Sequence, residues 1–187
     1  MPNLNPHILL FLDLIKKGAI DLYNEDGLKC ELALHFRSKL DSSWKVQVER
    51  NIDSFGLDKR RFIKKEMDIV VFDSLKKEKQ CIELKYPTQG QYPEQMFKAC
   101  QDVKFLEQLV DSGFQKSYFL MIAKDTPFFE GRETGGIYSI FRENRVIQGQ
   151  ITKPTGSKSE VINILGRYNI VWVPIINNLK YFILEVG

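Results

Sequence analysis

Two short apolar segments, Met67-Asp68-Ile69-Val70-Val71 and Cys81-Ile82-Glu83-Leu84-Lys85, decide how this chain is read. Both are β-prone, and each is interrupted by an acid where a purely structural strand would carry Val or Ile at no desolvation cost. Alternate side chains of a strand share a face, so Glu83 and Lys85 point to one side with Cys81, while Ile82, Leu84 and Tyr86 point to the other. If the two segments pair as an antiparallel hairpin, the register that sets Asp68 opposite Glu83 also sets Val70 opposite Cys81. It leaves a six-residue connection, 73–78, an ordinary length for a hairpin. Two carboxylates at this spacing raise each other's pKa unless a cation sits between them, and a hard divalent ion meets that need. A solvated hairpin with surface ion pairs shares the spacing. The apolar setting of the acids favours the ion.

Outward from this hairpin, Trp44, Val46 and Val48 alternate with Lys45, Gln47 and Glu49, predicting a strand over 44–52 with one face on the core. Upstream, a helix over 28–40 sets Glu31 between Leu28 and Leu34, with His35 on the same stripe. An acid so flanked is expected to be partly buried and to need a partner. Asn5-Pro6 opens an earlier helix reaching Leu22. Downstream, a Pro- and Gly-rich loop leads to Pro93 and a helix over 93–112 that buries Met96, Cys100, Val103 and Leu109, and residues 118–123 form an apolar run suited to an internal strand. Further strands are expected at 138–141, 146–151, 170–175 and 179–186, the last two a hairpin around Asn177-Asn178, with 153–159 a polar connection.

An acid on one strand, then acid-x-lysine on the next, resembles the PD-(D/E)XK phosphodiesterase superfamily. The element order also matches: a helix with a glutamate, three antiparallel strands, a second helix, and a strand parallel to the core. Met67 stands where the family's name has proline. The resemblance implies an α/β (α+β) restriction-endonuclease-like core over roughly 28–125, a central mixed four-stranded sheet flanked by helices, with a C-terminal β-rich extension over 126–187, all in one domain. It further implies Mg²⁺ or Mn²⁺ held by Asp68, Glu83 and the carbonyl of Leu84, with Glu31 completing the shell through water and Lys85 acting on the attacking water. Gln101, followed by Phe105, is similar to a glutamine-aromatic pair near the site of some recombination and repair exonucleases, with Gln95 competing for the role. The implied activity is phosphodiester cleavage in nucleic acid, with double-stranded DNA the expected substrate and an endonuclease of the restriction, defence or repair type the expected enzyme. The alternative is a non-catalytic nucleic-acid-binding or protein-interaction module on the same fold.

Composition bounds these readings. The 187 residues carry a formal net charge of only +3, so distribution matters more than total: Lys59, Arg60, Arg61, Lys64 and Lys65 precede the Asp68 strand, where they can hold phosphates. Lys76, Lys77 and Lys79 fill the hairpin loop, for phosphates or merely for solvent. Two histidines and three cysteines without C-x-x-C spacing leave zinc-finger and Ser-His-Asp schemes without their parts. Cys30, Cys81 and Cys100 read as reduced core residues of a cytoplasmic protein. The apolar stretch Ile8–Leu12 is too short for a membrane span. A homodimer is compatible with the sequence.

Overall fold

The computed structural model describes residues 1–156 and 160–187. In chain order the elements are α1 (Asn5–Lys16), α2 (Glu25–Lys39), β1 (Trp44–Asn51), β2 (Glu66–Asp73), β3 (Lys79–Lys85), α3 (Tyr92–Asp111), β4 (Ser117–Ala123), α4 (Ile137–Arg142), β5 (Val146–Thr152), β6 (Val161–Asn169), β7 (Val173–Ile176) and β8 (Leu179–Val186). Six strands form one mixed sheet in the order β1-β2-β3-β4-β8-β7, and β5-β6 form a separate two-stranded ribbon. Among the described residues only the β3–β4 pair is parallel, and α3 is its crossover. This is a mixed α/β fold with helices on both faces of the sheet. Among the described residues no helix is long and apolar enough to cross a membrane.

Strand parity divides the core in two. Ile69, Val71, Ile82 and Leu84 pack with Ile8, Phe11, Leu32 and Phe36 of α1 and α2. Val70, Phe72, Cys81 and Phe119 pack on the other face with Met96, Val103 and Leu106 of α3, and with Phe141 of α4 and the ribbon's Ile147, Ile151, Ile162 and Ile164. β4 is buried at every position because both faces of the sheet are covered there.

The expected hairpin forms with the expected register, Val70 opposite Cys81, and the Asp73 N–H donates to the Glu78 carbonyl to close the turn. Several boundaries differ. α1 stops at Lys16 rather than Leu22, because Gly18 turns left-handed (φ 71°). α2 starts three residues early, since the Asn24 side chain accepts from the Gly27 N–H (2.8 Å) and Glu25 and Asp26 favour the first turn. Residues 138–141 are helical, not extended: Ile137 and Phe141 are buried one turn apart, and Arg142 donates to the carbonyls of Pro127 and Glu133. β6 was not expected, although Ile162 and Ile164 alternate with exposed Val161, Asn163 and Leu165. The predicted sheet of four strands is six, because β8 and β7 continue it beyond β4. The polar connection 153–159 lies partly outside the described residues.

Glu107, near the end of α3, fastens the ribbon to the core. Its buried carboxylate accepts from the N–H groups of Leu165 (2.9 Å) and Gly166 (2.7 Å) and from the Tyr168 hydroxyl (3.2 Å), while Lys104 pairs with it (3.0 Å). Removing the acceptor leaves two backbone donors unsatisfied at about 1–3 kcal/mol each. Glu107→Leu is therefore expected to destabilise the protein by about 2–5 kcal/mol in urea unfolding. Amide exchange at Leu165 and Gly166 should accelerate more than exchange in β4.

Candidate functional site

Three acids fall on one row across the sheet. β1 pairs Val48 with Ile69 and Arg50 with Met67, so Glu49 lies level with Asp68, while the β2–β3 register ends at Ile69 and Ile82, one step short of Asp68 and Glu83. Regular pairing would set the three carboxylates side by side, and like charges directly opposite are destabilising. The ladder opens instead. Glu49 takes a left-handed backbone (φ 50°), and side chains replace the missing strand bonds: the Asp68 N–H donates to Glu83 Oε1 (3.1 Å) and the Leu84 N–H to Asp68 Oδ2 (2.9 Å).

Lysines from three elements enter the opening. Lys29 of α2 pairs with Glu49 and with Asp68 (3.3 Å). Lys64, in the segment before β2, pairs with Glu83 and with Asp102 of α3 (2.7 Å). Lys85 Nζ lies 2.9 Å from Glu25 Oε1 and 3.6 Å from Asp102 Oδ2. Glu25 Oε2 also accepts from the Tyr86 N–H (2.7 Å), which fixes the first turn of α2 against the end of β3. The Lys64 segment is held by Gln108 of α3, which accepts from the Ile63 N–H (2.9 Å) and donates to the Arg61 carbonyl (3.0 Å).

Burial makes these charges consequential. Glu83 is fully buried, and burial pushes its carboxyl up to about 8, Asp68 adding to the rise and Lys64 opposing it. Burial also raises Asp102, whose Oδ2 has no hydrogen-bond partner. For Lys64 and Lys85 burial works against the ammonium but is outweighed, by Glu83 and Asp102 for the first and by Asp102 and Glu25 for the second. Both lysines remain charged.

Asp68, Glu83 and Lys85, expected at the site from the sequence, are thus brought together. Glu31 is not: it is exposed on α2, because the stripe that α2 buries runs through Leu28, Lys29, Leu32 and Phe36. The acid α2 brings to Lys85 is Glu25, one turn and a half earlier. Gln101 turns away to donate to Glu160 (2.6 Å); its neighbour Asp102 points in. Of the basic stretch, Lys64 belongs to the site, Lys59 pairs with Asp53 and Arg60 with Asp58. Arg61 and Lys65 are exposed. Lys76 and Lys79 sit at the far end of the hairpin, over the Phe55 and Phe114 rings. Cys81 and Cys100 are buried as expected, but Cys30 is exposed.

Asp102 had a signal in the sequence: it lies three residues after Ala99 and four before Leu106, inside the apolar stripe of α3. Lys29 had the same signal on α2.

The donor set suits a hard cation, with two carboxylates on adjoining strands; the nearby Cys81 thiol donates to Glu83 Oε1 (3.5 Å) and is not itself placed as a ligand. Among the described residues no three Asp, Glu, His or Cys side chains are grouped as ligands of one ion. An ion here would therefore rely on Asp68, Glu83 and water, a set that Mg²⁺ accepts. Asp102 Oδ2, buried beside them, has no hydrogen-bond partner and faces the Lys85 ammonium at 3.6 Å.

No protein-family model, no curated protein and no solved structure matches this chain.

A carboxyl raised in the fold holds its proton where the unfolded chain has lost it, so stability falls as pH rises between the two pKa values. For Glu83 that window runs from about 4.5 to about 8, and Asp102 adds the same sign. Lys64, raised above its ordinary value, adds no slope until the alkaline range. Metal-free protein is expected to lose stability steadily from pH 5 to pH 8 in urea titrations. Glu83→Gln should flatten most of that slope, and an unchanged slope would place the titration elsewhere.

Proposed function

We propose that this chain is a metal-dependent phosphodiesterase acting on nucleic acid, most directly a Mg²⁺- or Mn²⁺-requiring DNA endonuclease of the restriction, defence or repair type. The observation that carries the reading is the opened strand pair, which brings Asp68 and Glu83 together, with Lys85 joined to them through Asp102 and Lys64. The helix, three antiparallel strands, crossover helix and parallel strand that surround it support a restriction-endonuclease-like core.

Asp68 and Glu83 would hold the ion, with the Leu84 carbonyl available on the same strand. A bound Mg²⁺ lowers the pKa of water and neutralises charge on phosphate oxygens. Lys85 stays protonated between Glu25 and Asp102, so it orients the attacking water and stabilises charge on the phosphate rather than taking a proton. Glu25, fixed by the Tyr86 N–H, sets where that ammonium can reach. Arg61 and Lys65, exposed and flanking Lys64 in sequence, would supply the cations for the phosphate backbone.

One observation favours the second reading, a non-catalytic nucleic-acid-binding or protein-interaction module. Lys29 and Lys64 already compensate the acids, as a purely structural ion network would. Cleavage separates the two. On duplex DNA the enzyme should cut with Mg²⁺ or Mn²⁺ and stop in EDTA. Lys85→Ala is expected to cost about a hundredfold or more in single-turnover rate with little change in affinity. Replacing Arg61 and Lys65 by Ala should instead weaken binding and lower the slope of log affinity against log salt by about two. Wild type that binds duplex tightly and never cuts, with Lys85→Ala indistinguishable from it, would establish the module.

A further inference from the structure

Lys64 occupies a place unlike that of the other basic residues near the cleft. Its ammonium lies between Glu83 and Asp102, the two most deeply buried carboxylates of the site, and 5.6 Å from the Phe105 ring. It arrives from a segment without regular structure, fastened at Arg61 and Ile63 by the Gln108 amide. Neighbouring Arg61 and Lys65 point to solvent. The placement is therefore built: helix α3 supplies the acid that receives Lys64, the ring beneath it and the amide that aims it.

Charge balance gives this placement a meaning. The linked cluster contains the carboxyl groups of Glu25, Asp26, Glu49, Asp68, Glu83 and Asp102 against the ammoniums of Lys29, Lys64 and Lys85, six against three. Acids outnumber amines, and Lys64 is the amine that lies between the two most buried of them. Without Lys64 the cluster would lose one of its three amines, and Glu83 and Asp102 would face each other with oxygen on both sides and no cation between them. Two carboxylates in that relation bind a cation or take up a proton.

Resting on the metal-dependent reading above, we propose that Lys64 is a resident cation that holds the Glu83–Asp102 position against a second metal ion and so limits the site to one divalent ion. Asp102 is then a positioning residue. It holds Lys64 with one oxygen and faces Lys85 with the other, at 3.6 Å, so that one buried carboxylate sets both amines.

The test is a Mn²⁺ titration of the full chain at pH 8 without nucleic acid, following the electron paramagnetic resonance signal of free Mn²⁺. Wild type is expected to bind one ion. Lys64→Met, of similar length and without charge, is expected to bind a second ion or to hold the first at least tenfold tighter, while Lys64→Arg keeps the wild-type count. The double variant Lys64→Met/Asp102→Asn removes one acid with the amine, restores the wild-type charge balance and should return to one ion; it also removes the buried acid left unpaired, so it remains informative if Lys64→Met folds poorly. Two ions on wild type, or a Lys64→Met protein equal to wild type in number and affinity, overturn the proposal. So does a double variant that keeps the extra ion. Wild type and every variant failing to bind at millimolar Mn²⁺ would instead bring down the metal-dependent reading itself.

Discussion

Carboxylates cannot lie side by side in a closed β ladder without a compensating charge, and that constraint shapes the middle of this molecule. Glu49, Asp68 and Glu83 stand level on three consecutive strands. The sheet keeps its register on the side of the row where Val, Ile and Phe alternate, and abandons its bonds at the row itself. Side-chain oxygens then serve the N–H groups that lost their strand partners, so opening the ladder leaves the Asp68 and Leu84 donors satisfied. The cleft is the residue of a conflict between backbone pairing and electrostatics.

The two helical layers resolve that conflict from opposite faces. α2, lying with α1 on one side, brings Lys29 to Asp68 and Glu25 to Lys85. α3, on the other, brings Asp102 to Lys64 and Lys85. Each helix is anchored by its apolar stripe, so the charged residues inherit the rigidity of a packed core. α3 does most: the same helix buries the sheet, receives Lys64, pins the preceding segment through Gln108 and fastens the ribbon through Glu107.

Much of this was legible in the sequence, and the exceptions share a cause. Strand parity and loop length gave the β2–β3 hairpin with its register, and the apolar run of β4 announced an internal strand. Helix periodicity failed where it was applied to the wrong acid. Glu31 looks flanked by Leu28 and Leu34, yet Leu34 is itself exposed, because the buried stripe of α2 includes a charged residue, Lys29. The same blindness hid Asp102. A pattern that assigns charge to solvent cannot see a charge buried against a charge on another element, since the partner that makes burial tolerable is remote in sequence. The segment 138–141 failed for a different reason: four residues carry too little periodicity to distinguish strand from helix, and contacts of Arg142 with distant carbonyls decide it.

The surplus of negative charge also ties stability to occupancy. A buried carboxyl held near 8 exacts a cost from the folded protein at neutral pH, and α1, α2 and α3 must bury enough apolar surface to carry it. Any cation that binds the folded cluster and not the unfolded chain returns part of that cost by mass action. The same residues that make the buried acid cluster unfavourable therefore make it receptive to a cation, and Lys64 divides the task. By pairing with Glu83 and Asp102 it keeps the core closed around its most buried acids, and it leaves Lys29 to pair with Asp68 and with Glu49, the exposed end of the row.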